Sequence, residues 1–224
     1  MLNDIYDRIS SGRVSLTLWF LAYIANVSWF SIYVLLDESA FSNPPWLLET
    51  GKFFAMPLAV VFVFYTMWVI TRRLGNAKPD ERGGFLPWIG WTFLAALPSF
   101  LIYILLGAVW QISEHWWLET LVFSLSIGLV VPLLVHANGR AINAEGPTIG
   151  HTLKYVLKNY SRIFGAYMMA SLPFAMASDG LQVFEVESKW TIISLAIMSG
   201  TILFFSEVLC IAITVAAYRK AEAA

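Results

Sequence analysis

The final hydrophobic run, from Trp190 to Tyr218, constrains this chain more than any other stretch. As an α-helix rising about 1.5 Å per residue it would be roughly 43 Å long, which is enough to cross a bilayer and its headgroup layer with some tilt. The run contains one acidic residue, Glu207, and is followed by Arg219 and Lys220. A carboxylate inside a bilayer is costly, so it normally faces protein or water. The run therefore predicts a membrane span and raises the question of what lies opposite Glu207.

The composition of the whole chain agrees with a membrane protein of several spans. Hydrophobic residues make up 58% of the 224 residues and charged residues only 13%, whereas soluble domains contain about 25% charged residues. The net charge of -1 provides no basic stripe for nucleic acid. The single cysteine, Cys210, cannot form an intrachain disulfide. Because residues 1–13 are polar, we expect no cleaved signal peptide and a first span that serves as a signal-anchor.

Six hydrophobic segments predict six transmembrane helices. They lie at about 14–36, 53–71, 87–110, 117–135, 163–177 and 190–218. The fifth is short for a bilayer crossing and reaches full length only by including part of the preceding segment. The expected fold class is therefore all-α, a polytopic membrane protein in which residues 1–224 form a single transmembrane domain.

The distribution of basic residues predicts that both termini are cytoplasmic. With six spans and an inside amino terminus, only Lys52 and Lys189 of the 14 basic residues fall in outer segments. An excess of lysine and arginine on the cytoplasmic side is what the positive-inside rule describes. The acidic residues of the loops, among them Glu119 and Asp179, fall mainly on the outer side.

A segment of a different kind precedes the fifth span. Between residues 148 and 162 apolar residues recur with a helical period, while Lys154, Lys158 and Arg162 occupy another face. This pattern predicts an amphipathic interfacial helix whose basic face contacts lipid headgroups or a partner. In the alternative interpretation, the segment is the cytoplasmic entrance to span five, and its lysines extend to the interface.

Two interpretations of Glu207 remain open from the sequence. In one, it is a proton-titrating or cation-contacting group. In the other, it is a protonated acid that hydrogen-bonds across helices and fixes their packing. The polar residues predicted to lie in the spans with it are Ser206, Asn26, Ser99, Ser28, Ser124, Ser126 and Tyr103.

Motifs for metal binding or catalysis are missing from the sequence. His115 and Glu119 have the four-residue spacing of a helical metal pair, but two ligands do not make a zinc site. No glycine-rich phosphate loop, serine elbow or HExxH motif occurs. We therefore expect no metal, no cofactor and no enzymatic activity.

One resemblance adds to these observations. The segments Pro147–Leu153 and Tyr160–Gly165 look like a recurrent feature of certain bacterial six-span proteins. Those proteins are similar to the membrane domain attached to some glycerophosphodiester phosphodiesterases and, more loosely, to Yip1-type proteins. In that group a short amphipathic helix leads into a span, and the last span closes with a tyrosine–arginine pair, here Tyr218 and Arg219. The resemblance covers about the last third of the chain and implies a non-catalytic module of the bacterial inner membrane, with a role in membrane organisation or trafficking.

The sequence leads to two functional hypotheses. The favoured one is a non-enzymatic membrane module, an accessory subunit or scaffold that binds anionic lipids and partner subunits or further copies of itself. The alternative is a small transporter or channel in which Glu207 is a proton- or cation-coupled residue. Neither hypothesis involves nucleic acid.

Overall fold

The computed structural model describes residues 46–78, 81–110, 115–182 and 189–224, together with residues 7, 9, 10, 16, 17, 19–21, 23 and 24. All regular elements in these ranges are α-helices, so the predicted all-α class is confirmed for them. In chain order they are α1 Trp46–Leu74, α2 Phe85–Trp110, α3 Trp116–Leu129, α4 Val131–Ile142, α5 Ile149–Lys158, α6 Tyr160–Gln182 and α7 Lys189–Glu222.

Two of the described helices are long and apolar enough to cross a membrane. The qualifying segments are Phe85–Leu105 of α2 and Ile193–Glu222 of α7. A third span arises if α3 and α4 form one crossing, although they are bent by 63° where they meet. Helices suit a bilayer because all of their backbone polar groups bond internally. The described part of the chain thus agrees with an integral membrane protein, whereas most of the predicted first span, 14–36, lies outside it.

The predicted fourth span, 117–135, is not one straight helix. α3 ends at Leu129, Val130 lies between the two helices, and Pro132 occupies the first turn of α4. A proline has no N–H to continue the hydrogen-bond ladder of α3, but it is well accommodated in the first turn of a new helix. The bend lets α3 pack mainly against α6, while α4 packs against α2 and α7.

The second half of α7 forms the centre of the fold. Every residue from Cys210 to Tyr218 is buried, and α7 packs most extensively against α6 and α4. A helix that is buried on all sides lies inside a bundle rather than along its lipid-facing surface. Among the residues whose burial the structure describes, Tyr218 has the largest fully buried side chain.

Tyr218 lies directly against α4 at Gly139. A Cβ atom at position 139 would overlap the ring of Tyr218, and one at Gly146 would overlap its hydroxyl group. Glycine therefore permits a close approach of α4 and α7 that any larger residue would block. The resemblance singled out Tyr218, and in the structure its ring packs closely against Gly139 of α4.

The amphipathic segment predicted for 148–162 is divided between two helices. α5 begins after Thr148, whose side-chain oxygen accepts a hydrogen bond from the backbone N–H of His151 at 3.4 Å. It ends at Lys158, and Asn159 separates it from α6. The predicted fifth span, 163–177, lies within the longer helix α6.

Arg219 joins the end of α7 to the loop between α1 and α2. Its guanidinium group donates two hydrogen bonds of 2.8 Å to the two carboxylate oxygens of Glu81 and further ones to the carbonyl of Gly75. It also contacts the carboxylate of Glu222 at 2.7 Å. These hydrogen bonds from Arg219 hold the pKa of Glu81 below its ordinary value of 4.5.

Removing the charge of Glu81 is therefore expected to lower stability in a pH-dependent way. A carboxyl group with a lowered pKa stabilises the folded state above its unfolded pKa, and this contribution is lost as the pH falls through the folded pKa. We expect Glu81→Gln to lower the unfolding temperature at pH 7 by a few degrees, corresponding to about 1 kcal/mol for a partly exposed pair. The difference from the unmodified protein should shrink as the pH drops below about 4.5.

Thermal unfolding in detergent at pH 7 and at pH 3.5 would measure this effect. Glu145→Gln, which removes the charge of an exposed acid, serves as the control. Equal unfolding temperatures for Glu81→Gln and the unmodified protein at pH 7 would show that the ion pair does not stabilise the fold.

Candidate functional site

A cavity of about 520 Å³ lies among the described helices, and Glu207 forms part of its wall. Small-molecule sites usually have volumes of about 300–1,000 Å³ and mostly apolar walls with a few polar groups. This cavity, called the central cavity below, fits that description. The side chains that line it are Tyr23, Val63, Phe64, Met67, Trp88, Thr92, Ala95, Ala96, Ser99, Phe100, Phe123, Ile127, Val130, Leu134, Asn138, Tyr167, Glu207, Cys210, Ile211 and Thr214.

The Glu207 side chain lies inside the protein yet remains accessible because it borders the central cavity. Its neighbours on α7, Ser206 and Val208, are buried. No residue in the described part of the chain donates a hydrogen bond to the Glu207 carboxyl group or forms an ion pair with it. An acid that only fixed helix packing would have a partner on another helix. The position of this carboxyl group in the cavity wall is compatible with contact to a cation or a proton donor, and both interpretations of Glu207 stay predictions.

The other three predicted intramembrane site residues differ in position. Ser99 borders the central cavity and donates its hydroxyl hydrogen to the carbonyl of Ala96 at 2.8 Å. Ser206 is buried and donates a hydrogen bond of 3.0 Å to the carbonyl of Ala170 on α6, so it joins two helices rather than facing the cavity. Asn26 lies outside the described residues.

The remaining polar candidates that lie among the described residues form no hydrogen bond with Glu207. Ser126 donates a hydrogen bond of 2.7 Å to the carbonyl of Phe123 within α3. Ser124 is buried, and Tyr103 donates its hydroxyl hydrogen to Glu119. Ser28 lies outside the described residues.

Three polar side chains border the central cavity in a hydrogen-bonded row that the sequence did not single out. The indole N–H of Trp88 donates to Asn138 Oδ1 at 3.0 Å, and Asn138 Nδ2 donates to Thr214 Oγ1 at 2.6 Å. Asn138 falls between the predicted fourth span, 117–135, and the amphipathic segment of residues 148–162, where the sequence predicted no helix. Its four-residue spacing from Leu134 and Ile142 is the signal that would have placed it on a helix.

A second cavity of about 470 Å³, called the acidic cavity below, contains two carboxylates. Thr120 Oγ1 donates a hydrogen bond of 2.6 Å to Asp179 Oδ2, and Tyr103 donates one to Glu119. Trp116 contributes an aromatic face to the same wall. The predicted topology puts Glu119 and Asp179 on the outer side.

The basic residues of the predicted interfacial segment are all exposed. Lys154 and Lys158 project from α5, and Arg162 projects from the start of α6. The ring nitrogen Nε2 of His151 donates to the carbonyl of Ala221 at 2.8 Å and so joins α5 to the end of α7, while Thr152 and Val156 form the buried side of α5. The three basic side chains are therefore available to a lipid surface or a partner.

Comparisons of the chain with protein-family models, curated proteins and solved structures found no significant match. The resemblance to six-span membrane proteins suggested by Pro147–Leu153 stays a prediction.

Proposed function

We propose that this chain is a small membrane transporter or channel whose central cavity binds a largely apolar organic cation, with Glu207 as its counter-ion. The single observation that carries the proposal is the Glu207 carboxyl group, which is accessible in a cavity of about 520 Å³ and has no hydrogen-bond partner among the described residues. A carboxylate in such surroundings is stabilised when a cation pairs with it or when a proton neutralises it. If the organic cation and a proton bind to Glu207 in turn, transport of the cation would be coupled to movement of the proton.

The wall of the central cavity supports this choice of ligand. Its many apolar side chains would bind the body of the molecule through burial of apolar surface. The aromatic rings of Tyr23, Phe64 and Trp88 border the same space. Aromatic faces attract cations by about 0.5–2 kcal/mol each, so they add to the attraction of Glu207.

The proposed topology is six spans with both termini in the cytoplasm, in a bacterial inner membrane. α1 with 29 residues and α6 with 23 residues are each long enough for a crossing. The skewed distribution of basic residues gives the orientation.

Binding of ethidium, a fluorescent aromatic cation, to the purified protein in lipid nanodiscs would test the proposal. We expect saturable binding that tetraphenylphosphonium displaces and that its neutral analogue triphenylphosphine oxide does not. In proteoliposomes, an imposed pH gradient should drive ethidium across the membrane. Binding no greater than that to empty nanodiscs would contradict the proposal.

A second candidate function, an accessory subunit or scaffold that binds anionic lipid, is supported by the exposed residues Lys154, Lys158 and Arg162. Each basic residue near an anionic surface contributes about 1 kcal/mol of attraction. We expect the triple charge reversal of these residues to glutamate to lower the amount of co-purified anionic lipid several-fold, as measured by native mass spectrometry.

The matched control reverses three other exposed basic residues, Arg73, Lys78 and Arg82, which lie near the loop between α1 and α2. An equal loss of lipid in both triple variants would show that the α5–α6 face has no special role. A partner protein that is retained by the control and lost with the first triple variant would favour the accessory-subunit function.

A further inference from the structure

Phe100 and Phe123 border both the central cavity and the acidic cavity. Phe100 lies on α2 and Phe123 on α3, and these two helices pack against each other. Their side chains are 56% and 45% exposed, which means that neither is locked in the core. The ring of Phe123 meets Tyr103 of the acidic cavity edge-on, with ring centres 5.7 Å apart. The same two aromatic side chains therefore belong to the wall that contains Glu119 and Asp179 and to the wall that contains Glu207.

We propose that the acidic cavity is the outer vestibule of the central cavity and that Phe100 and Phe123 form the gate between them. This inference rests on the proposed function and adds the route by which an organic cation reaches Glu207. The Glu207 carboxyl group, which has no hydrogen-bond partner among the described residues, lies on the inner side of the proposed gate and is the end point of the route.

Two features suit Phe100 and Phe123 to movement. Exposed side chains change rotamer on the picosecond-to-nanosecond timescale. A ring that is half exposed loses few contacts with neighbouring side chains when it changes rotamer. Pro98 lies inside α2, two residues before Phe100. A proline removes a backbone hydrogen bond and permits a helix to bend at that position.

The charges of the acidic cavity favour a cation over an anion. Asp179 and Glu119 each accept a hydrogen bond from a neighbouring hydroxyl group. A carboxylate has about four acceptor positions, so each retains capacity for a ligand. Two carboxylates in a concave space raise the local concentration of cations at the gate.

Cys210 is a natural reporter for this route. It is the single cysteine of the chain, it is buried, and it borders the central cavity on the inner side of the proposed gate. A methanethiosulfonate reagent converts a thiolate to a mixed disulfide and releases methanesulfinate. The cationic, membrane-impermeant trimethylammonium-ethyl reagent, applied to the outer face of proteoliposomes, can therefore measure how often the gate opens.

We expect Phe100→Ala and Phe123→Ala each to raise the rate of Cys210 modification by the cationic reagent at least fivefold, with a larger increase in the double variant. Phe93→Ala is the matched control, because Phe93 is an exposed phenylalanine of the same helix α2 and borders neither cavity. The rate with the small permeant reagent N-ethylmaleimide should stay constant across the variants. If Cys210 reacts too slowly, Ser99→Cys provides a second reporter, because it places a thiol in the same cavity wall. If Phe123→Ala unfolds, Phe123→Leu replaces it.

Charge selection provides an independent readout. Cys210 can be modified by the cationic reagent or by its anionic sulfonatoethyl counterpart. We expect the double variant Glu119→Gln, Asp179→Asn to lower the ratio of the cationic to the anionic modification rate at least threefold. A purely structural role for the two carboxylates would leave that ratio unchanged.

Unchanged labelling in the phenylalanine variants, or faster labelling from the cytoplasmic face alone, would overturn the inference. If ethidium fails to bind while the phenylalanine variants still accelerate labelling, the route is supported and the proposed ligand is wrong. If ethidium binds while labelling stays constant, the ligand is supported and the route is wrong.

Discussion

Replacing Glu207 by glutamine is expected to weaken ethidium binding at least tenfold. Glutamine keeps the size and polarity of the side chain but removes the negative charge that would pair with the cation. Removing one partner of a desolvated charge pair costs about 2–5 kcal/mol, and each 1.4 kcal/mol corresponds to about a tenfold change in affinity. Titration of the protein in nanodiscs by fluorescence anisotropy would measure the change, and proton-coupled uptake of ethidium in proteoliposomes should be lost.

Two control variants distinguish a specific loss of ethidium binding from a general loss of stability. Glu145→Gln removes an exposed carboxylate in the turn after α4 and should leave ethidium affinity unchanged. Ser206→Ala removes the hydroxyl group that bonds to Ala170, so it should lower the unfolding temperature with little change in affinity.

The stability of Glu207→Gln distinguishes the two interpretations of this residue. If Glu207 only fixed helix packing, its replacement would destabilise the protein without affecting ethidium. If it is the counter-ion of a ligand, the ligand-free variant should be at least as stable as the unmodified protein, because a carboxyl group without a described partner has been removed from the interior. An unchanged ethidium affinity would contradict the role of Glu207 as a counter-ion.

The second large effect is expected for Gly139→Ala, which should prevent the close contact between α4 and α7. The added methyl group would overlap the ring of Tyr218, which is fully buried. Extra volume in a packed core costs about 1–3 kcal/mol when side chains can rearrange, and more when they cannot. We expect a fall of about ten degrees in the unfolding temperature in detergent, together with a lower yield of monodisperse protein.

Gly150→Ala is the matched control for this prediction. Gly150 is an exposed residue within α5, and a Cβ atom there would contact no other atom within 4 Å. Alanine stabilises a helix by about 1 kcal/mol relative to glycine, so this variant should be as stable as the unmodified protein or slightly more stable. Similar unfolding temperatures for Gly139→Ala and Gly150→Ala would show that α4 and α7 do not depend on the close approach at Gly139.

The helical nature of the chain and the helix that carries Glu207 could both be predicted from the sequence. The predicted final span, 190–218, lies within α7, and the predicted third span, 87–110, lies within α2. Such predictions succeed because hydrophobicity and helix formation are properties of a continuous segment, whose backbone hydrogen bonds all close within a few residues. The break at Val130 was missed because an unbroken apolar run dominated the local pattern, although Pro132 marked the position.

The composition of the central cavity depended on the tertiary structure. Ser99 and Ser206 were equivalent candidates in the sequence, yet Ser99 borders the cavity and Ser206 joins two helices. The hydrogen bonds of Asn138 connect it to Trp88, 50 residues away, and to Thr214, 76 residues away. Local periodicity determined which segments are helices and that a carboxyl group lies within one of them. Only the packing of all the helices decided which side of each helix faces the cavity, because that orientation depends on contacts between residues far apart in the chain.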